Sequence, residues 1–319
     1  MSDKPSIVRA WGDYCIAREA GRGQTTRQTV QYLFDVYSRT IDVDQPIDSV
    51  TVEDFNRFIR TLIRQGKITT TIRQYIYGLK AFYDWCVRQG LIVESPVQKT
   101  KMPALPAFVK PRRAAFSMEQ LHRLDAQIKR EEGRVLNAEE SHDWAAAIQI
   151  GYWTGMRFSD VATLEWVAPE KRLGSWVDMV EQIIIVHPMK KRARRERLEI
   201  PIQSELYDLF QRLMATRSPE RTHVLPMMAF NYVNARAMMA MQFSRLCKRC
   251  GLAGYSFHSF RHGFVSRLVN GGIDPIIIGS MTGQSVAQIK AYAHVNRAAR
   301  RDALESVRES VNEQQMETA

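Results

Sequence analysis

Apolar residues recur at helical spacing through the first ninety positions of the chain. Ile72, Tyr75, Ile76, Leu79, Phe82, Tyr83 and Cys86 follow the i, i+3, i+4, i+7 rule over four turns, and Gly90 stops the run. Upstream, Thr51 and Asp54 form a T-x-x-D capping pattern, after which Phe55, Phe58, Ile59 and Leu62 fall on one face. Two further helices are expected around 5–19 and 26–38, the second carrying Val30, Leu33, Phe34 and Tyr37. Four such helices can bury a core of their own, so residues 1–94 are expected to form a helical domain.

Residues 95–116 break the pattern. Four of the twelve prolines lie there, at a spacing no helix can run through, and an extended connection is expected. Lys99, Lys101, Lys110, Arg112 and Arg113 make it basic, with no acid among them. A solvated tether and a tether that contacts DNA both fit, and counterion release makes the second useful. A second domain is expected over 117–311. Ser117 with Gln120 caps SMEQLHRLDAQIKREE, and another helix follows around 140–155. Ser175–Val180 reads as a weak strand, Ile183–Val186 as a clear one, and Arg197–Ile202 as its antiparallel return. Helical spacing then runs to about 311, and 312–319 read as a flexible tail. The expected fold class is mainly α with a small antiparallel β-sheet, an α+β arrangement.

Composition narrows the function. With 45% hydrophobic and 25% charged residues in 319, a disordered chain, a collagen and a coiled-coil rod are excluded. No apolar run approaches the length of a membrane-spanning helix, and the N-terminus lacks the pattern of a secretory signal. Forty-five Lys and Arg against 34 Asp and Glu leave a net charge of +11, which points to a polyanion, nucleic acid foremost. Cys15, Cys86, Cys247 and Cys250 read as reduced thiols of a cytoplasmic protein. Cys247 and Cys250, with His258 and His262 downstream, make half of a zinc motif; two small residues on one helical segment is the plainer reading, and no metal or other cofactor is expected.

Four places could carry chemistry. In TGMRFSDVATLEW, Gly155 ends one helix and a short helix is expected next, which puts Arg157 at a turn where its guanidinium fork suits phosphate oxygens. Taken alone the signal is weak, and the plainer reading is a surface Arg paired with Asp160. In HSFRH, His258 and Arg261 lie three apart and share a helix face. Imidazole suits proton transfer and guanidinium neutralises phosphate, although such a pair is often only a solvated face. KKRARRER, residues 190–197, holds six basic residues and one acid between two strands, either a solvated charge run or a hairpin that reaches DNA. Lastly, Ser285 and Gln288 cap the helix that leads to AYAH; Tyr292 there is core or rim by default, and a nucleophile if its neighbours take its proton.

Read together, the order Arg, Lys, His-x-x-Arg, Tyr resembles the tyrosine recombinase, or phage integrase, family. Arg157 precedes Arg261 by 104 residues and Tyr292 follows it by 31. The final box appears as TGQSVAQIKAYAH, and the resemblance covers the whole second domain. The helical first domain and basic linker match the family's core-binding domain in size, composition and placement. The resemblance implies a site-specific recombinase that cuts and rejoins double-stranded DNA through a 3′-phosphotyrosine and a Holliday junction. It implies Tyr292 as nucleophile, Arg157 and Arg261 as clamps on the non-bridging oxygens, and His258 as general acid–base. Lys190 would protonate the departing 5′ oxygen, with Lys191 as its alternative. Lys191, Arg192, Arg194 and Arg195 would contact DNA beside the five linker cations.

The chain departs from the pattern in three ways. Gln284 stands where the family has His or Trp, and an amide can donate a hydrogen bond but holds no charge. Asp160 replaces the usual Glu and is expected to orient the site. The hairpin is long, with Lys190 eleven residues before Pro201. Family behaviour also implies a homotetramer on paired sites, in which Asn296–Val311 would dock on a neighbouring protomer. An accessory DNA-bending or directionality factor is a further expected partner, membrane is not, and the expected place is the cytoplasm, at the bacterial nucleoid. The length suggests no further arm-binding domain before the helices. A type IB topoisomerase and a catalytically inactive DNA-binding relative are the competing readings.

Overall fold

The computed structural model describes residues 4–19, 24–98, 115–169, 174–188, 196–216, 218 and 220–292. The chain divides into two compact units, 1–111 and 112–319.

The first unit is built on helices α1 (Ile7–Glu19), α2 (Gln24–Ser38), α3 (Val52–Arg64) and α4 (Thr69–Arg88). The Thr51 box forms in both directions: Thr51 accepts from the Asp54 N–H, and the Asp54 side chain accepts from the Thr51 N–H. All seven apolar positions read on α4 are buried. The interior is aromatic. Trp11 stacks on Phe34 at 4.9 Å and meets Phe82 edge-on at 4.8 Å. Two fully buried phenols, Tyr37 and Tyr83, satisfy each other at 2.7 Å. Gly78 lets α2 approach α4, since a Cβ there would collide with Leu33 Cδ2.

The second unit winds helices around α6 (Ala138–Thr154). This helix buries residues around its whole circumference, Trp144, Ala147, Ile148, Ile150 and Tyr152 among them, as expected of a central helix. Against it pack α5 (Met118–Glu131), α8 (Ser204–Ala215), α9 (Pro226–Arg249) and α10 (His258–Asn270). The Ser117–Gln120 capping box on α5 is present. The ends of α5 and α9 are joined by Arg249, whose Nε and Nη2 each donate to Glu131 at 2.6 Å.

The sheet differs from expectation. The short helix expected after Gly155 covers only α7 (Phe158–Ala162), and the chain then becomes strand β1 (Leu164–Glu165). Leu164 pairs in parallel with Ser175, so the sheet β1-β2-β3-β4 is mixed, not antiparallel. The other strands, β2 (Ser175–Asp178), β3 (Ile183–Val186) and β4 (Leu198–Pro201), run antiparallel as read. Leu164 is fully buried, and core burial together with pairing overrides the local helical spacing.

One helix start is capped from a distance. Leu225 at the N-cap of α9 has no side-chain oxygen to offer, and Asp143 of α6 substitutes, accepting from the Met228 N–H at 2.8 Å. Burial pushes the Asp143 carboxyl up to about 7 despite its backbone donors. Its folded value lies above its unfolded one, so stability falls as pH rises from about 4 to about 7 and then levels. Asp143→Asn keeps an acceptor and removes the ionisation. The variant should therefore gain melting temperature relative to wild type between pH 5 and pH 8, with the two closest at the acid end. A constant difference across that range would show that Asp143 does not titrate there.

Among the described residues, no helix is long and apolar enough to cross a membrane.

Candidate active site

The site lies where three helix ends converge. The first is the end of α6. Gly155 terminates it in the left-handed conformation at φ 61°, and a Cβ there would collide with Phe264 of α10 at 2.7 Å. The turn delivers Arg157 to the N-cap position of α7. Its side chain is 23% exposed, and its Nη1 lies 4.0 Å from the buried carboxylate of Asp160. Ser159 Oγ donates to the same carboxylate. Arg157 and Asp160 therefore form the pair that the sequence allowed, at the edge of the site.

The second is the start of α10. His258 is its first residue and is exposed, while Arg261 and His262 are buried at 4% and 6% exposure. The Arg261 fork is held by protein carbonyls: Nη1 donates to Gly155 O at 3.1 Å and Nη2 donates to Thr282 O. Burial, and secondarily the charge of Arg157, pushes its guanidinium down to about 10, still protonated at neutral pH. The nearby Tyr292 and Asp160 oppose that fall.

The third comprises α11 (Pro275–Thr282) and α12 (Val286–Lys290). Gly283 ends α11 in the left-handed conformation, Gln284 follows, and the Ser285–Gln288 box opens α12. Gln284 Oε1 is buried and has no hydrogen-bond partner among the described residues. Tyr292 comes just after α12, its N–H donating to Ile289 O at 2.8 Å. Its ring packs beside Phe264, Val265, Ile278 and Ile289, which fixes it against α10. The Tyr292 hydroxyl lies 2.6 Å from Nδ1 of His262.

His262 is the residue that motif reading missed as chemistry. It stands four residues after His258, on the same face of α10, and the two imidazoles meet edge to face with centroids 4.6 Å apart. That spacing was the available signal. The structure thus gathers Arg157, Asp160, His258, Arg261, Gln284 and Tyr292 onto adjoining helix ends of one unit. Lys190, Lys191, Arg192, Arg194 and Arg195 lie outside the described residues, as do Lys99, Lys101, Lys110, Arg112, Arg113 and the segment Asn296–Val311. The cysteines near the C-terminal end of α9 do other work. Cys247 is buried in the core, and Cys250 Sγ donates to Arg123 O at 3.7 Å. No cluster of three or more His, Cys, Asp or Glu side chains able to hold a metal forms among the described residues.

A buried guanidinium, a second guanidinium, paired imidazoles and a held phenol can together receive a phosphodiester and offer it an oxygen nucleophile. The phage integrase family model matches residues 115–299, which span this whole arrangement. The chain belongs to the phage integrase family. A tyrosine recombinase XerC of Chlorobaculum tepidum is 26% identical over 274 residues, covering 80% of this chain and 77% of that protein. A tyrosine recombinase XerC-like protein of Caldanaerobacter subterraneus is 21% identical over 303 residues, 86% of this chain and 73% of its own. Among solved structures, the Tn1549 transposon integrase in complex with a circular intermediate DNA shares the fold with a TM-score of 0.70 at 19% identity, over 95% of this chain and 99% of that one. A lambda integrase tetramer bound to a Holliday junction gives 0.66 at 16% identity, over 90% and 78%. The phage integrase fold therefore extends over both units, and the enzyme is a tyrosine-type site-specific recombinase.

Proposed function

We propose that this recombinase cuts and rejoins paired duplex DNA sites as a homotetramer, using Tyr292 as nucleophile. The observation that carries the reading is the Tyr292 hydroxyl held at 2.6 Å from an imidazole on α10, the helix that also carries the buried Arg261 fork. Arg261 and Arg157 would take the two non-bridging oxygens as negative charge grows on them. The phenol gives its proton to an imidazole of α10 as its oxygen bonds to phosphorus, the bond to the 5′ oxygen breaks, and Lys190, or Lys191, gives that oxygen a proton. DNA remains joined through a 3′-phosphotyrosine, which conserves the energy of the broken bond, and attack by a partner strand's 5′ hydroxyl reverses the step. Asp160 orients Arg157, and Gln284 offers an uncharged amide to the phosphate.

The relatives solved with circular intermediate DNA and as a tetramer on a Holliday junction support the assembly. The net charge of +11 supports a DNA partner. Residues 1–94 would serve as the core-binding domain, 95–116 as a basic tether and 117–311 as the catalytic domain, with 312–319 a flexible tail. The enzyme would work in the cytoplasm at the bacterial nucleoid, with a DNA-bending or directionality factor as accessory partner.

Covalent capture tests the reading. The wild-type chain is expressed in bacteria that carry its native DNA neighbourhood, the cells are lysed in denaturant, and DNA still attached to protein is sequenced. Attachment at a few discrete sites is expected. Scattered attachment would favour a topoisomerase-like nicking enzyme instead. No attachment, even to a nicked suicide duplex from the same neighbourhood, would mean a relative that binds without cutting.

A further inference from the structure

A tyrosine hydroxyl is a weak nucleophile until its proton leaves, so the group that takes the proton must come within hydrogen-bond reach of it. Two imidazoles stand near Tyr292, and they differ in position. His258 is exposed at the first residue of α10. His262, one turn further on, is only 6% exposed, and its Nδ1 is 2.6 Å from the phenol oxygen. The rings of His262 and Tyr292 are tilted by 36° with centroids 5.6 Å apart. His258 packs edge to face on His262, with the ring centroids 4.6 Å apart. Arg261 does not compete for the proton. It has donors only, and two of them are committed to Gly155 O and Thr282 O.

We propose that His262, not His258, is the base that receives the Tyr292 proton during cleavage, which leaves His258 for the phosphate and leaving-group side. The assignment rests on Tyr292 being the nucleophile. The hydroxyl donates to Nδ1, with the ring hydrogen on Nε2. As the phenol oxygen bonds to phosphorus, its proton passes to Nδ1 and His262 becomes imidazolium. The phosphorus–O5′ bond breaks with its electron pair on the 5′ oxygen, which takes a proton from the hairpin lysine. On rejoining, the imidazolium returns its proton to the departing phenol oxygen. His262 is thus a catalytic residue in contact with the reacting atom.

The test uses the duplex recovered by covalent capture, rebuilt as a nicked suicide substrate in two forms. One has an ordinary phosphodiester at the cleaved position, the other a 5′-bridging phosphorothiolate, whose sulfur leaves without a proton. The full chain is compared as wild type, Tyr292→Phe, His262→Phe, His262→Asn and His258→Gln. Asn places an acceptor near the Nδ1 position but cannot carry the proton. Expected is a loss of about 10²-fold or more in single-turnover cleavage for both His262 variants, on both substrates, with DNA binding unchanged. Should His262→Phe melt early, His262→Asn decides. A wild-type rate in His262→Asn would reduce the residue to a holding role and overturn the proposal. Recovery of the His262 variants on the phosphorothiolate would also overturn it, by moving His262 to the leaving-group side. If wild type forms no adduct, or Tyr292→Phe still forms one, the nucleophile assignment falls and this one with it. Full-rate His262 variants beside an inert Tyr292→Phe sink this proposal alone.

Discussion

Tyr292→Phe will bind the captured duplex within about twofold of wild type and form no covalent adduct with it. The phenyl ring keeps its place beside Phe264, Val265, Ile278 and Ile289, and the backbone bond to Ile289 O is unaffected. Only the hydroxyl is lost, and with it the hydrogen bond to His262, a change of about 1 kcal/mol in stability. Binding rests mainly on cations and phosphates, so it survives, and its salt dependence should be unaltered. A denaturing gel of the nicked duplex reads the adduct, and fluorescence anisotropy with the same duplex reads the affinity. An adduct of undiminished yield in the Phe variant would mean that another side chain attacks.

Removing either arginine will slow cleavage by about 10²- to 10³-fold, the scale of losing one donor to a developing oxyanion. The two variants will part company in stability. Arg157 is partly exposed, and its ion pair spans 4.0 Å, so Arg157→Ala should melt close to wild type. Arg261 supplies the donors for two protein carbonyls at a buried place, Gly155 O and Thr282 O. Arg261→Ala strands both, at about 1–3 kcal/mol each, so roughly 2–6 kcal/mol of stability should go with the activity. Arg261→Lys keeps the charge but not the planar fork, and should recover only part of the loss. Melting curves beside single-turnover rates decide it. Equal melting of Arg157→Ala and Arg261→Ala would show that the two carbonyl bonds hold nothing together.

What the sequence made legible was local. The Thr51, Ser117 and Ser285 caps formed where a hydroxyl three residues before Asp or Gln precedes an apolar run. The α4 positions are buried because a regular four-turn stripe has only one face to hide. What escaped reading depends on partners distant in sequence. Strand β1 is two residues long and is held by pairing with β2 on one side and a bridge to His223 on the other, so its own letters carry no strand signal. Asp143 caps a helix 85 residues away, and the sole trace in the sequence is that Leu225 has no oxygen to do so. His262 sits one residue past a motif arginine, and only the fold shows that it faces the phenol. The backbone carbonyls that grip Arg261 have no side-chain signature at all.

The mixed sheet has a consequence for how this enzyme tolerates change. At the neck of the basic hairpin, the His187 N–H donates to Ser175 Oγ, and the His187 ring lies 3.2 Å from Glu196 O. Below that neck, β3 and β4 are in fixed register from Val186–Leu198 to Ile183–Pro201. Across β2, the same ladder reaches β1, which begins seven residues after Arg157. Residues can therefore be added between 192 and 195 without displacing Arg157, because the length change stops at the neck. A single-residue deletion inside β3 or β4 has no such stop. It would turn the strand's buried side chains to the opposite face and propagate into the sheet that anchors the first arginine. Inherited length variation in this protein should accordingly spare Lys190 and Lys191, collect between 192 and 195, and be purged from the strands a few residues away.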